Sequence, residues 1–292
     1  MNHDPMRQPS YVVTMETDRT VSDELSAFLY EQWQRIPAEF LVRGQDRMWL
    51  EIYFEDEVKA LLAGEVTKGH PHVKAVQVRS TDPADWQKMF RRHFSTREIG
   101  DRLRICPVWE QEACPVDDRL TILINPGLSF GTGEHFTTLF CLEAMDRIWR
   151  DDAPETMLDI GTGSGILSIA ARGLGCSEVV ATENADYVLR CTRENLALNG
   201  VTDGVELVLS DIVDEPIGGS FDLVCANLYG HLLIECAPQI ARPAARWLVL
   251  SGIREFEVDG VADAFVARGG REITRDGDGE WAGLLLRFDP VP

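Results

Sequence analysis

The sequence predicts an α/β fold, in which helices flank a mostly parallel sheet, preceded by a small α+β module. From Met157 onward, apolar strand-like runs alternate with segments of helical periodicity, the pattern of a parallel sheet. A glycine-rich turn joins the first of these strands to its helix. Two strand-like segments around the turn 276–279 end the chain and predict an antiparallel hairpin. With 292 residues, the chain can form two domains.

The first 80 residues predict a ferredoxin-like order of elements, β-α-β-β-α-β. Strands are expected over 11–15, 40–42, 48–54 and 73–78, and helices over 22–33 and 55–63. A polar stretch, 79–83, then precedes a predicted linking helix over 85–94. We therefore predict three parts: an α+β recognition domain (1–80), a linker (81–97) and a catalytic domain (98–292).

The predicted catalytic domain contains a regular succession of strands and helices. Strands over 103–109 and 120–124 lead into it, and the strand ending at Ile160 opens the main sheet. The expected strands that follow are 178–182, 205–209, 221–226, 246–250, 271–275 and 281–288. The expected helices are 166–172, 186–198, 229–240 and 256–267. This gives a seven-stranded sheet that ends in a hairpin.

Charge is distributed unevenly along the chain. Residues 1–97 carry 13 basic and 15 acidic residues, whereas the remainder carries 15 basic and 33 acidic ones, within a net charge of −20. Such an acidic surface repels phosphate backbones and favours a basic protein partner, although solubility alone is an equally good explanation. We therefore expect no nucleic acid as a direct substrate.

Cysteine usage and hydropathy favour a cytoplasmic protein. The seven cysteines form no C-x-x-C pair, and several lie in apolar runs, which predicts buried free thiols in a reducing compartment. The polar start predicts no secretory signal, and no apolar run is long enough to cross a bilayer. No Cys/His cluster has metal-ligand spacing, so no metal is predicted.

Residues 158–165, which read L-D-I-G-T-G-S-G, carry the clearest functional signal. Dinucleotide-binding loops place a third glycine where this chain has Ile166. The pattern G-x-G-x-G instead resembles motif I of the class I methyltransferases, which are Rossmann-like enzymes that use S-adenosyl-L-methionine (SAM). We therefore predict that Gly161 and Gly163 bind SAM, and that Asp159 steadies the loop or meets the ammonium end of the ligand. The alternative is a tight connection with no ligand.

Two further acidic residues follow neighbouring strands of the predicted sheet. Ligands of such sheets bind outside the carboxyl ends of the strands. Glu183 lies twenty-two positions after Gly161, where a carboxylate can accept both ribose hydroxyl hydrogens. Asp211 ends the next strand and can accept from an adenine amino group, with Ile212 against the ring. A solvated strand end and a common turn residue are the respective alternatives.

Asn227 ends the fourth strand, where the sulfonium of the donor is expected. Methyl transfer is an in-line displacement, in which the acceptor lone pair must face the methyl at about 3–3.5 Å. A carboxamide oxygen that accepts an N–H bond aims an amine lone pair without gaining charge. We therefore predict Asn227 as the catalytic residue, with a turn-forming role as the alternative. The lack of an N-P-P-Y sequence argues against methylation of planar amide or base nitrogens.

Residues 125–138 read N-P-G-L-S-F-G-T-G-E-H-F-T-T. Together with Asn227-Leu228 and residues 86–109, they resemble the ribosomal protein L11 methyltransferases (PrmA family). The similarity is close in the catalytic domain and linker and weaker in the first 80 residues, where only the topology agrees. Glu134, Phe136, Tyr229 and Glu183 depart from the usual residues of the family.

The resemblance implies SAM-dependent methylation of lysine side chains and the N-terminal amine of a basic ribosomal protein, which the N-terminal module grips. Carried over by position, Thr132 and Thr138 would lie near the cofactor, and Gly161 and Glu183 would hold it. Asn227 would contact the methionine side of the cofactor or the substrate. Phe130 would shield the sulfonium as part of a glycine-containing lid.

Three alternatives remain open at this stage. His135 is either a base or, as we prefer, a residue that orders the loop. The substrate is either ribosomal protein L11 or another lysine-containing protein. A third hypothesis is a SAM-binding or protein-binding module that has lost catalysis. The sequence does not indicate an oligomeric state.

Overall fold

The structure is a computed structural model that describes residues 10–33, 37–41, 47–54, 56–81, 94–125, 131, 133–215 and 217–288. The chain divides into two compact units, residues 1–93 and 94–292. The helix predicted over 85–94 lies outside the described residues except for Phe94, which is not helical. The finer domain limits at residues 80 and 97 stay predictions.

The first unit contains one four-stranded sheet and two helices. The strands are β1 (Ser10–Asp18), β2 (Ala38–Leu41), β3 (Arg47–Phe54) and β4 (Ala75–Thr81). The helices are α1 (Ser22–Trp33) and α2 (Glu57–Lys68). The strands are antiparallel in the order β2-β3-β1-β4, which confirms the ferredoxin-like prediction. Helix α2 begins later than predicted because Asp56 caps it, accepting a bond from the Lys59 N–H.

Helix α2 packs on its sheet through small residues. Ala60, Ala63 and Gly64 are buried, and a Cβ atom on Gly64 would lie 2.4 Å from Cγ2 of Val78. The larger apolar side chains of the helix therefore face outward. We call this exposed set the α2 stripe; it consists of Val58, Leu61, Leu62 and Val66, exposed by 74%, 52%, 55% and 40%.

The second unit opens with a three-stranded sheet. Its strands are β5 (Arg97–Ile99), β6 (Leu103–Pro107) and β7 (Leu120–Ile124). Strand β6 pairs antiparallel with β5 and parallel with β7. The strand predicted over 103–109 ends two residues early, and Val108–Ala113 form a 3₁₀ helix. Pro107 lacks an N–H with which to extend the ladder.

The main sheet of the second unit has seven strands in the order β10-β9-β8-β11-β12-β14-β13, which confirms the predicted class I architecture. Its strands are β8 (Thr156–Ile160), β9 (Glu178–Glu183), β10 (Val205–Leu209), β11 (Phe221–Asn227), β12 (Ala244–Arg254), β13 (Gly270–Gly277) and β14 (Trp281–Phe288). The helices are α3 (Phe136–Asp151), α4 (Ile166–Gly173), α5 (Asp186–Leu198), α6 (Gly230–Glu235), α7 (Ala237–Ala241) and α8 (Val258–Val266). Strand order reverses between β8 and β11, so the ligand crevice is expected at their carboxyl ends.

Several predicted elements of the second unit have different limits in the structure. The helix predicted over 229–240 is divided into α6 and α7 at Cys236, because Pro238 has no N–H for a continuous helix. The helix predicted over 256–267 starts with a 3₁₀ turn, Glu255–Glu257. Strand β12 continues to Arg254 through an irregularity between Leu250 and Ile253, where Gly252 has a φ of +79°. The final hairpin pairs β13 antiparallel with β14, as predicted.

Two hydrophobic cores lie in the second unit and a third lies in the first. The seven cysteines all lie in the described part of the chain and none forms a disulfide; five of them are buried, which agrees with the expectation of buried thiols. None of the helices within the described ranges combines the length and apolar character that a bilayer crossing requires.

Candidate active site

The glycine loop follows β8 at the centre of the main sheet. Gly161, Gly163 and Gly165 have φ angles of +71°, +56° and +83°, which side chains other than glycine rarely adopt. The N–H groups of Gly161 and Thr162 donate to the carbonyl oxygen of Thr182 at 3.0 and 2.9 Å. The loop is therefore a tight, glycine-rich turn that is hydrogen-bonded to β9.

Asp159 lies beneath this loop and holds it from inside. Its Oδ2 accepts hydrogen bonds from the hydroxyls of Thr162 (2.7 Å) and Ser168 (2.6 Å). The side chain is 1% exposed, and burial raises the pKa of its carboxyl. Of the two roles predicted for Asp159, this geometry supports the steadying of the loop.

Glu183 ends β9 beside the loop. Its Oε2 accepts from the N–H of Gly163 at 3.2 Å, and its Oε1 accepts from the N–H of Asn184 at 3.0 Å. Burial raises the pKa of this carboxyl, and the main-chain donors oppose that shift. The carboxylate is thus held beside the glycine loop, at the strand end where the acceptor for ribose hydroxyls is predicted.

Asp211 follows β10, two residues beyond its end. One carboxylate oxygen accepts from the N–H of Val213 at 2.9 Å, and the other lies 3.4 Å from the amide nitrogen of Asn184. Ile212 is buried. Asp211 therefore orders its own turn, at the strand end next to Glu183 in the sheet.

Asn227 ends β11, between the ends of β8 and β12. Ala226 pairs with Ile160, and Asn227 pairs with Ser251, so the register places Asn227 beside Gly161. In the described structure its Oδ1 is buried and has no hydrogen-bond partner. Leaving a buried acceptor unsatisfied costs about 1–3 kcal/mol. A donor on a bound molecule would satisfy this oxygen.

The lid segment is described only in part. Phe130 and Thr132 lie outside the described residues, so their predicted contacts with the cofactor stay predictions. Thr138 lies in the first turn of α3, where it is 1% exposed, and its hydroxyl has no partner among the residues that the structure describes. A buried hydroxyl of this kind fits a site for a polar ligand atom.

His135 is the N-cap residue of α3. Its Nδ1 accepts from the N–H of Thr137 at 3.4 Å and lies 2.9 Å from the hydroxyl of that residue. The ring packs edge-on against Trp281, with the ring centroids 5.0 Å apart. Burial lowers the pKa of the imidazole, which favours its neutral form. This position supports the loop-ordering role that we preferred for His135.

The sequence analysis missed several side chains that hold the glycine loop, among them Ser164 and Asn195. The hydroxyl of Ser164 donates to the carbonyl of Gly131 at 2.5 Å, and the amide of Asn195 donates to the carbonyl of Ser164 at 2.9 Å. The spacing of Asn195 and Asn199 on one helix face was a visible signal, but it did not reveal their partners.

The residues present fit the predicted donor. The position of Gly161 requires a residue without a side chain, because its φ is +71° and a Cβ atom there would lie 2.7 Å from Cδ2 of Leu228. Glu183 offers a carboxylate on one side, and Asn227 offers the unsatisfied oxygen on the other. Three predicted residues therefore stand at adjacent strand ends.

The buried carboxyl of Glu183 predicts that affinity for SAM depends on pH. Since the pKa of Glu183 is raised, its carboxyl is protonated at a higher pH than that of an exposed glutamate. Only the ionised form accepts both hydroxyl hydrogens, so affinity should be full above this pKa and fall as the pH drops through it. Calorimetric Kd values over about two pH units on either side of that pKa will measure the effect. Glu183→Gln should bind about 10-fold more weakly at neutral pH and lose this dependence; an unchanged dependence would assign it to another group.

Comparisons with known proteins agree on one family. The model of the family described as ribosomal protein L11 methyltransferase (PrmA) matches residues 12–288. A ribosomal protein L11 methyltransferase of Geotalea daltonii is 38% identical over 225 residues, covering 73% of this chain and 70% of the relative. That of Desulforamulus reducens is 29% identical and covers 94% and 89%. The crystal structure of a ribosomal protein L11 methylase from Lactobacillus delbrueckii subsp. bulgaricus has a TM-score of 0.59 at 30% identity, covering 67% of this chain and 100% of the other.

Proposed function

The chain belongs to the ribosomal protein L11 methyltransferase (PrmA) family, and from this membership we propose that it methylates lysine side chains and the N-terminal amine of ribosomal protein L11, using SAM. The observation that carries the proposal is the group formed by Gly161, Glu183 and Asn227 at adjacent strand ends. A donor-binding bend thus adjoins a buried acceptor oxygen.

Asn227 gives the site its means of orienting an amine. When bound, SAM supplies a methyl group on a cationic sulfur, which leaves without the help of an acid. The buried Oδ1 of Asn227 accepts one N–H of the amine, and this bond directs the nitrogen lone pair. Positioning of this kind converts a collision between two molecules into an oriented contact.

The amine must lose its proton before it can attack. A lysine in water is mostly protonated at pH 7. Enclosure of the lysine side chain on binding lowers its pKa and so favours the neutral form. His135 need not act as a base, because its ring nitrogen is engaged with Thr137 at the start of α3.

The charge of the chain and the exposed helix of the first unit both support a protein substrate. The acidic balance of residues 98–292 attracts a basic protein. The α2 stripe places four exposed apolar side chains on one helix face, and contiguous exposed apolar surface often marks an interaction site. A ribosomal substrate and free cysteines both favour the cytoplasm as the location of the protein.

Incubation with methyl-labelled SAM tests the function. Purified ribosomal protein L11 and a cell lysate serve as the two acceptors. We expect label in L11, retained on lysine and N-terminal residues after digestion and mass spectrometry. Label only in another lysate protein would replace the substrate, and SAM binding without any label would favour an inactive module.

The α2 stripe predicts a defect that is confined to substrate affinity. Leu62→Asp should raise the KM for intact L11 about 10-fold, since an apolar contact becomes a desolvated charge. The value of kcat and the Kd for SAM should stay unchanged. Val116→Asp is the matched control, because Val116 is fully exposed outside the stripe. Equal KM values for both variants would exclude the α2 stripe as a docking surface.

A further inference from the structure

Asn195 connects two parts of the second unit that the sequence separates widely. It lies on α5 and is 2% exposed. Its amide nitrogen donates to the carbonyl of Ser164 in the glycine loop at 2.9 Å. Its amide oxygen accepts from the N–H of Asn125, just after β7, at 3.0 Å. Both the nitrogen and the oxygen of the Asn195 amide are therefore hydrogen-bonded to main-chain groups.

Neighbouring side chains of α5 divide these two tasks. Outside the helix itself, the hydroxyl of Thr192 donates to the carbonyl of Gly163 in the loop at 2.8 Å. The amide of Asn199, at the C-cap of α5, bonds both the N–H and the carbonyl of Leu123 in β7 at 2.7 Å and also donates to the Asn195 carbonyl at 2.8 Å. Among these three, Asn195 alone joins the loop to the end of β7.

We propose that Asn195 is a positioning residue for SAM binding, a role that rests on the proposed function. By bonding Asn125 and Ser164 at once, its amide fixes the orientation of the Ser164 peptide, and thereby that of the loop on which the donor is bound. The task requires a donor and an acceptor in one short side chain. A second contact supports this brace, because the Ser164 hydroxyl bonds Gly131.

Asn195→Asp tests the proposal. The carboxylate keeps an acceptor for the Asn125 N–H but loses the donor to Ser164 and faces its carbonyl. We expect the calorimetric Kd for SAM to rise about 10-fold, the effect of losing roughly 1.4 kcal/mol. Hydrogen exchange should show weaker protection of residues 161–165 when SAM is added.

Asn199→Asp is the matched control. It makes the same exchange at the C-cap of the same helix, against main-chain groups of Leu123 and the main-chain carbonyl of Asn195, but does not contact the loop. Its melting temperature should fall, while its Kd for SAM should stay within about 2-fold of the unmodified protein. Should Asn195→Asp fail to fold, Asn195→Ala and Asn199→Ala provide the same comparison without a buried charge.

The possible outcomes separate this inference from the function on which it rests. Weaker SAM binding in the Asn195 variant alone supports a positioning role. Equal losses of affinity in both variants, or no loss in either, would overturn it and leave Asn195 as a packing residue. No SAM binding by the unmodified protein would instead contradict the proposed function.

Discussion

Asn227→Ala should lower kcat by on the order of 100- to 1,000-fold, the range seen when an oriented catalytic hydrogen bond is lost. Without Oδ1, nothing at the end of β11 would direct the lone pair of the amine. The Kd for SAM should change little, because Gly161, Gly163 and Glu183 remain. Stability should be unchanged or higher, since an unsatisfied buried acceptor is removed.

Single-turnover rates with saturating SAM and L11 measure this loss separately from binding. Ser251→Ala is a suitable control, because Ser251 pairs with Asn227 across the sheet but carries no carboxamide. Its kcat should stay within about 3-fold of the unmodified enzyme. A full rate in Asn227→Ala would show that amine orientation depends on another group.

Gly161→Ala should weaken SAM binding about 100-fold. A φ of +71° strains any residue other than glycine, at a cost of about 1–3 kcal/mol. The new Cβ atom would also lie 2.7 Å from Cδ2 of Leu228, so the Leu228 side chain must shift. Because Leu228 follows Asn227, kcat should decrease as well.

Gly200→Ala separates backbone strain from the effect on the site. Gly200 has nearly the same φ, +67°, but a Cβ atom there would meet nothing within 4 Å. This variant should lose stability while binding SAM normally. Calorimetry and thermal unfolding of both variants give the comparison, and similar Kd values would contradict the importance of the Gly161 contact.

The hydrophobic periodicity of the sequence was sufficient to predict the architecture, because the strands and helices of each unit have local sequence patterns. Alternation of strands and helices predicted the parallel sheet, and the turn after β13 predicted its final hairpin. The rule that ligands bind at strand ends then brought Glu183 and Asn227 to the glycine loop. Element limits failed where one residue overrode the period, as at Pro238 and Pro107.

The side chains that support the site could not be predicted from the local pattern of the sequence. Asn195 and Ser164 act through partners 70 and 33 residues away along the chain, and no local pattern specifies such partners. Asp159 was recognised, but its hydroxyl partners were not. Thr162 lies three positions after it and Ser168 nine, and only the fold shows that both hydroxyls meet one carboxylate oxygen.

Helix α2 packs on its sheet through small residues and exposes its larger apolar side chains, and this affects the tendency of the protein to self-associate. The exposed α2 stripe gives each molecule an apolar surface through which it can associate with another molecule. The net charge of −20 opposes such encounters by long-range repulsion between like-charged molecules. Salt shortens the reach of that repulsion to about 8 Å at physiological ionic strength. We therefore expect self-association at high salt concentration that reverses on dilution, as a result of the way α2 packs on its sheet.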